Sequence, residues 1–193
     1  MKKINFVTTN QGKVASLANR LTSGKYQLVQ TKLELPEIQA SCANAVCIEK
    51  AKEAFKILQK PLIIQDSSFH IVALNGFPGA YIKYAQDTIG VGGILKLMEG
   101  VQDRRCYFEG ALTYIDGNVT KTFVKKSSMG QLALKIDKTS SEKEWGTIWR
   151  IFIPKGYNIT LSAISKEELD SKEGKTASDS EFAQFIRWIE TLS

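Results

Sequence analysis

Cysteine and histidine are scarce in this chain of 193 residues, which contains three cysteines and one histidine. The cysteines, Cys42, Cys47 and Cys106, form no Cys-x-x-Cys pair, and no histidine-rich segment accompanies them. An odd number of cysteines at this spacing fits neither a disulfide framework nor a structural zinc site. We therefore expect reduced thiols and a cytoplasmic protein.

Long apolar segments are also missing. No run approaches the roughly 18 apolar residues that a membrane-spanning helix needs. Near the N-terminus only residues 4–7 form a mainly apolar run, which is too short for the core of a secretory signal. We expect neither a membrane span nor a signal peptide.

Lysine and arginine outnumber the acidic residues by 26 to 20, and the formal net charge is +6. A basic surface attracts phosphate without sequence preference. The lysines are nevertheless spread along the chain, and the densest pair, Lys125 and Lys126, has no neighbouring aromatic residues on which bases could stack. The pattern argues against nucleic acid as the main partner and favours an anionic small molecule.

The alternation of apolar and polar residues predicts strands and helices mixed throughout one domain, residues 1–193. Helices are predicted at 43–58, at 94–98 and near the C-terminus, where Ser178 and Glu181 have the spacing of a capping box. Strands are predicted at 4–7, 62–64, 69–74, 107–115, 119–124, 132–136 and 151–153. Asp116-Gly117-Asn118 predicts a hairpin between two of these strands. The fold class is α/β with some antiparallel pairing.

The segment from Thr8 to Lys13 is the most informative part of the chain. It reads Thr-Thr-Asn-Gln-Gly-Lys and joins the first strand to a helical pattern. A hydroxyl-rich turn at a helix N-terminus concentrates unpaired backbone N–H groups, and the lysine adds positive charge. The second glycine and the Lys-Ser/Thr pair of a P-loop are missing. The segment suits a phosphate group, and the alternative is an ordinary turn.

Two acidic residues have positions that suit chemistry on a phosphate. Glu37 follows a proline, which restricts the backbone, and Asp66 directly follows the predicted strand at 62–64, where α/β sheets commonly hold ligands. Together they could hold Mg²⁺ against a triphosphate, and one could activate water. The alternatives are a loop acid at Glu37 and a helix or turn cap at Asp66. His70 lies within an apolar run without a nucleophile motif beside it, so we expect a structural histidine.

The segment at 8–13 is the first of several short motifs that follow one another along the chain. Residues 8–13 are followed by Leu-Pro-Glu-Ile-Gln at 35–39 and by a helix that carries Glu-Lys-Ala at 49–51. Residues 66–84 end in Ala-Leu-Asn-Gly-Phe-Pro-Gly-Ala-Tyr-Ile-Lys-Tyr, and residues 151–157 read Ile-Phe-Ile-Pro-Lys-Gly-Tyr. These motifs, in this order and at these intervals, resemble the Ham1/inosine triphosphate pyrophosphatase family. Several motifs together are far more specific than any one of them.

The resemblance implies an elongated mixed β-sheet flanked by helices, with two lobes around a nucleotide cleft, commonly in a homodimer. It implies an enzyme that hydrolyses a nucleoside triphosphate between the α and β phosphorus atoms and releases a monophosphate and pyrophosphate. The implied metal is Mg²⁺, or Mn²⁺ in its place. The usual substrates of the family are deaminated purine nucleotides such as ITP, dITP and XTP.

The resemblance also implies roles for individual residues. Asp66 would position or deprotonate the attacking water and would hold the metal together with Glu37, and Lys13 would take part in catalysis as well as binding. The residues implied to contact the substrate or line the cleft are Thr8, Thr9, Asn10, Lys13, Lys50, Ser67, Phe77, Pro78, Gly79 and Lys83. Lys83 could instead face a dimer partner.

The chain departs from the family pattern at three places. Gln65-Asp66 stands where the family usually has two consecutive acids, so one metal-associated charge is missing, although an amide can still ligate Mg²⁺ weakly. Residues 145–150 replace an Asp-containing segment of the base pocket, and residues 171–175 replace a Ser-His-Arg motif that reads the purine. The residues expected on the base side are therefore Trp145, Trp149, Arg150, Ser171 and Lys172. We expect an altered base preference.

These departures leave a second interpretation open. A protein of this fold that lacks an acid and the base-reading motif could bind a nucleotide as a sensor or partner subunit without hydrolysing it efficiently. The two interpretations differ in whether bound nucleotide is cleaved.

Overall fold

The computed structural model of the protein describes residues 1–36, 40, 42–139, 146–165, 167–168 and 180–192. Within these residues the helices are α1 (Gln11–Ala18), α2 (Ala43–Leu58), α3 (Ile82–Thr88), α4 (Gly90–Leu97) and α5 (Glu181–Ile189). The strands are β1 (Lys2–Val7), β2 (Tyr26–Thr31), β3 (Leu62–Ile71), β4 (Pro78–Gly79), β5 (Arg105–Ile115), β6 (Thr120–Leu132) and β7 (Phe152–Pro154). They form a mixed sheet in the order β2-β1-β3-β5-β6-β7, with β4 beside β3. The predicted mixture of parallel and antiparallel strands with helices is confirmed.

The chain packs as two compact units, and β3, β5 and β6 contribute residues to both. The first unit comprises residues 1–67, 110–125 and 178–193. Here β1 runs parallel to both neighbours, with Phe6 opposite Gln30 of β2 and Ile63 of β3. Because strand side chains alternate between the two faces of a sheet, Ile63 joins a core with α1 and α5, whereas Leu62 and Ile64 join a core with α2.

The two cores of the first unit differ in the size of their helical residues. The buried positions of α2 lie on one face of the helix and are mostly small, so this helix can lie close to the sheet. They are Ala43, Val46, Cys47, Ala51 and Ala54. The core beneath α5 is aromatic, and Phe182 and Phe185 are both buried in it. Phe6 and Phe182 meet edge to face, with ring centroids 6.3 Å apart.

The second unit comprises residues 68–109 and 126–177. Its core is built on Phe69, Phe108 and Phe152, and the ring of Phe152 meets the other two edge to face at 5.9 and 5.0 Å. A side chain of α3, Gln86, accepts hydrogen bonds from Thr147 Oγ1 at 3.0 Å and from the backbone N–H of Ile148 at 2.9 Å. These bonds tie the 3₁₀ turn at Thr147–Arg150 to α3.

Two sequence-based predictions agree closely with the structure. The helix predicted at 43–58 has those bounds. The hairpin between β5 and β6 is also confirmed, because Asp116 Oδ1 accepts from the backbone N–H groups of Asn118 and Val119, each at 2.9 Å. Gly117 takes the positive φ of 93° that the turn requires.

The prediction of separate strands at 62–64 and 69–74 is wrong. One strand, β3, runs from Leu62 to Ile71 and is followed by a 3₁₀ turn at Val72–Leu74. The strand continues past its polar residues because Phe69 and His70 pair with Gly79 and Pro78 of β4. Asp66 therefore lies within a strand and does not follow one.

Two other local predictions are corrected. Residues 133–136 are not a strand, since β6 ends at Leu132 and the Arg104 guanidinium donates to the carbonyls of Leu132 and Ala133 at 2.8 and 2.7 Å. The final helix begins with Ser180 as its N-cap, which accepts from the Ala183 N–H at 3.2 Å. Ser178 lies outside the described residues. No helix in the described ranges is long and apolar enough to cross a membrane.

Candidate active site

The loop before α1 is fixed by its own polar groups. Asn10 caps the helix by accepting from the Lys13 N–H at 3.2 Å, and the Asn10 N–H donates to Thr8 Oγ1 at 3.1 Å. The Thr8 carbonyl accepts from Gln30 Nε2 at 3.1 Å, which ties the loop to β2. The first N–H groups of a helix have no partners within it, so this turn presents donors just beyond the end of β1. Thr9 is exposed.

The middle of β3 lies beside this loop. Because Phe6 is opposite Ile63 in the parallel pair, the register places Gln65 level with Thr8, two residues further along each strand. β1 has already ended at that level. Asp66 thus lies inside β3 but beyond the carboxyl end of β1, its parallel neighbour. This is the end of the strands at which α/β sheets commonly hold ligands.

Asp66 is held from the α2 side. Lys50 Nζ lies 3.0 Å from Asp66 Oδ2, and the Ser67 N–H donates to Asp66 Oδ1 at 2.8 Å. The side chains of Lys50 and Asp66 are 19% and 28% exposed. The carboxylate is therefore oriented by both of its oxygens and remains accessible to a small ligand.

Gln65 is held from the α1 and α5 side. Lys13 Nζ donates to the Gln65 carbonyl at 3.2 Å. The side-chain Nε2 of Gln65 donates to the Asp66 carbonyl at 3.2 Å, to Ser67 Oγ at 3.0 Å and to Glu181 Oε1 at 3.2 Å. The Oε1 atom of Gln65 is buried without a hydrogen-bond partner.

Burial perturbs both ionisable groups on this side. It lowers the pKa of Lys13, against the opposing attraction of Asp66, Cys47 and Glu181. It raises the pKa of Glu181, against hydrogen bonds from the Glu181 backbone and from Gln65 and the attraction of Lys13 and Arg20. Both shifts follow from the cost of holding a charge away from water.

The site fits a metal ion that a phosphate also ligates. Among the described residues no three His, Cys, Asp or Glu side chains are grouped as a closed metal site. Mg²⁺ is commonly held by one or two carboxylates together with substrate phosphates, and Asp66 offers one partly exposed carboxylate near the donors at the start of α1. The other predicted ligand, Glu37, lies outside the described residues.

Other predicted site residues belong to the second unit. Phe77 is 41% exposed before β4, which contains Pro78 and Gly79. Lys83 forms an exposed ion pair with Asp87 on α3 at 2.9 Å. Trp149 packs partly buried against the core of this unit. Arg150 ends the 3₁₀ turn.

Three predicted residues on the base side, Trp145, Ser171 and Lys172, lie outside the described residues. His70, for which the sequence predicts a structural role, has two ring contacts in the second unit. Its Nε2 is 2.8 Å from Ser68 Oγ, and its ring stacks on Tyr107 with centroids 4.8 Å apart. Burial lowers its pKa.

Sequence reasoning missed one residue of the first unit that contacts the site. Glu181 was expected only as part of a helix cap, whereas its carboxylate lies against Gln65 and is 7% exposed. An acid at the first position of an amphipathic helix gives no sequence signal of this contact, because such positions are usually solvated and favoured by the helix dipole.

Comparison with known proteins shows the family of the chain. The model of the Ham1 family matches residues 4–178. A protein from Pyrococcus horikoshii named dITP/XTP pyrophosphatase is 38% identical over 194 residues, covering 97% of this chain and 96% of its own. One of the same name from Saccharolobus solfataricus is 32% identical over 191 residues, covering 95% and 93%. The Staphylococcus aureus Ham1 protein shares the fold with a TM-score of 0.79, 22% identity and full coverage of both chains. The chain therefore belongs to the Ham1 family.

Proposed function

We propose that this protein is a nucleoside triphosphate pyrophosphatase that removes non-standard purine nucleotides such as ITP, dITP and XTP. The reaction would release a nucleoside monophosphate and pyrophosphate. The family membership and the relatives named dITP/XTP pyrophosphatase support the activity. The observation that carries it is the oriented Asp66 carboxylate, 3.0 Å from Lys50, next to the capped N-terminus of α1.

The triphosphate is assigned to the donors around β1 and β3. The backbone N–H groups at the start of α1 and the hydroxyls of Thr8 and Thr9 would donate to phosphate oxygens. Lys13 and Lys50 would add positive charge from α1 and α2. Burial lowers the pKa of Lys13, and the low local dielectric strengthens the attraction of its charged form to a phosphate.

Asp66 is assigned the proton transfer from water. Its two oxygens are oriented by the Ser67 N–H and by Lys50, so the side chain is positioned before a substrate arrives. A water molecule beside the carboxylate would give up its proton to Asp66 as its oxygen attacks the α-phosphorus, with pyrophosphate as the leaving group.

Asp66, together with Glu37, is also the proposed holder of Mg²⁺, or of Mn²⁺ in its place. When bound, such an ion supplies charge neutralisation on the phosphate oxygens. Lys50 Nζ contacts the Asp66 carboxylate at 3.0 Å, so its charge would add to that of the ion.

For the base we propose a weaker preference for ITP over ATP and GTP than the family usually has. The proposal rests on Trp149 and Arg150, together with Trp145, Ser171 and Lys172, in place of the family's base-reading motifs. Stacking on an indole tolerates any base, whereas discrimination needs directed donors and acceptors. Competition kinetics of ITP against ATP, GTP and pyrimidine triphosphates tests this, and a strong selectivity for ITP and XTP would overturn it.

The experiment for the activity is incubation of the purified protein with a panel of NTPs and dNTPs, with products resolved by ³¹P NMR. Monophosphate plus pyrophosphate in the presence of Mg²⁺ or Mn²⁺ is the expected result. Orthophosphate as the product, or no turnover of any nucleotide with either metal, would overturn the proposal. The Asp103→Asn variant is a matched control for Asp66→Asn, since Asp103 forms an exposed ion pair with Arg105.

The second candidate is a nucleotide sensor that hydrolyses its ligand poorly, and the amide at Gln65 favours it over an efficient enzyme. Calorimetry followed by product analysis separates the two functions. A sensor would hold a nucleotide tightly and leave it intact for hours.

A cytoplasmic homodimer is the assembly that we infer from the resemblance. Sedimentation equilibrium of the purified protein measures it, and a monomer at micromolar concentration would contradict it.

A further inference from the structure

The carboxylate of Glu181 is buried in the first unit without a role in the reaction described above. It is the first residue of α5 and is 7% exposed. Burying a carboxylate costs free energy unless hydrogen bonds and opposite charges compensate it. It accepts a hydrogen bond from Gln65 Nε2 at 3.2 Å, and Lys13 and Arg20 are the cations that face it.

The surroundings of Glu181 are shaped to admit it. A Cβ atom on Gly110 of β5 would lie 2.6 to 2.7 Å from the carboxyl carbon and oxygens of Glu181, closer than real Cβ contacts, so a larger residue at this position would displace the carboxylate. The start of α5 is fixed as well, since Ser180 Oγ caps the helix and accepts from Arg20 Nη1 at 3.2 Å. The carboxylate is therefore held in one place.

The orientation of Gln65 follows from this carboxylate. The amide donates through Nε2 to Glu181, Ser67 and Asp66, while its own Oε1 is buried without a partner. Leaving a buried acceptor unpaired is unfavourable, so the contacts of Nε2 determine how the side chain lies.

A continuous path links Glu181 to the phosphate site. The backbone carbonyl of Gln65 accepts from Lys13 Nζ at 3.2 Å. The side chain of Gln65 thus contacts the Glu181 carboxylate, and its backbone carbonyl accepts from the Lys13 ammonium. Movement of Gln65 would release Lys13 from its position beside β3.

We propose that Glu181 is a positioning residue, which fixes Gln65 and through it places Lys13 to receive the triphosphate. The inference rests on the proposed function of this site. It predicts that loss of the Glu181 carboxylate changes anion affinity in the direction opposite to the one expected from charge alone. Removal of a negative charge near an anion site should strengthen anion binding, whereas loss of a positioning contact should weaken it.

The test measures binding of inorganic tripolyphosphate by calorimetry, without metal, and the kcat and KM of nucleotide hydrolysis. The Glu181→Ala variant should bind tripolyphosphate about fivefold or more weakly, because the Gln65 amide loses its acceptor. Glu181→Gln retains an acceptor oxygen of the same reach and should restore wild-type binding or exceed it. Gly110→Ala displaces the Glu181 carboxylate without changing any charge and should weaken tripolyphosphate binding as Glu181→Ala does. This variant tests the inference even if Glu181→Ala does not fold.

The control is Glu53→Ala on α2, which removes the same charge from a partly exposed surface pair with Lys56 and should change binding by less than about twofold. Wild-type or tighter binding by both Glu181→Ala and Gly110→Ala would overturn the inference. A Glu181→Gln variant that binds tripolyphosphate as weakly as Glu181→Ala would also overturn it, since the hydrogen bond to Gln65 would then not be the cause of the loss. A wild-type protein that binds tripolyphosphate but cleaves no nucleotide would overturn the proposed function alone.

Discussion

Gln65 and Asp66 are neighbours in β3, yet their side chains contact different helices: Gln65 meets Glu181 at the start of α5, and Asp66 meets Lys50 of α2. The alternation of side chains along a strand produces this division. The two cations of the site are divided in the same way, with Lys13 on the Gln65 carbonyl and Lys50 on the Asp66 carboxylate. The contacts of Gln65 and those of Asp66 can therefore be perturbed separately by mutation.

The Asp66→Asn variant should lose turnover far more than nucleotide binding. The amide keeps the shape of the side chain but cannot accept a proton from water, and a positioned general base typically contributes about 10²–10⁴-fold. Single-turnover kinetics at saturating nucleotide measures the chemical step, and calorimetry measures binding. A variant that retains more than about a tenth of wild-type kcat would show that Asp66 only organises the strand.

The Lys13→Ala variant should weaken tripolyphosphate binding by about 10- to 100-fold, the usual effect of losing a charged hydrogen-bond donor. Burial lowers the pKa of Lys13, so the wild-type ammonium loses its proton, and with it the attraction to phosphate, at a lower pH than an exposed lysine. Affinity should therefore fall as pH rises toward that lowered pKa. Lys13→Arg stays charged in this range, and its affinity should be less sensitive to pH.

Much of the fold could be predicted because local sequence and tertiary packing agree there. The helix at 43–58 has small apolar residues at helical spacing, and the hairpin turn contains an Asp-Gly-Asn sequence that forms its own hydrogen bonds. The prediction failed at β3, where Gln65 to Ser68 read as a turn. These polar residues are extended because they belong to β3, which lies between β1 and β5 in the sheet, a pairing that sequence patterns do not reveal.

From sequence patterns alone, the contacts within the candidate site could be predicted only where a residue contacts its neighbours in sequence. The Thr8–Lys13 loop is such a case, since Asn10 caps the helix that follows it. The pairing of Lys50 with Asp66 was not derivable from spacing, although the resemblance placed both residues at the site. The contact between Gln65 and Glu181 joins residues 116 positions apart in sequence, and only the fold brings them together.

Thiol labelling should distinguish Cys42 from the other two cysteines, all three of which are free. Burial raises the pKa of the Cys47 thiol to about 11 and that of Cys106 to about 12. The thiolate is the reactive form, so both should resist iodoacetamide at pH 8, whereas the half-buried Cys42 should react first. Mass spectrometry of partly labelled protein should find one modified cysteine per chain, and three after denaturation. Labelling of Cys47 as fast as Cys42 in the folded protein would contradict this.

The cap at Asn10 allows a prediction in which stability and binding change in opposite directions. Asn10→Ala removes the acceptor of the Lys13 N–H and should lower the free energy of unfolding by about 0.5–2 kcal/mol. Asn10→Asp keeps the acceptor and adds a negative charge at the helix N-terminus, which favours the free helix. The same charge faces the position assigned to the triphosphate, so tripolyphosphate binding should weaken by about tenfold. Denaturant unfolding and calorimetry on the two variants measure both effects, and an Asn10→Asp variant that binds tripolyphosphate as tightly as the wild type would place the phosphates elsewhere.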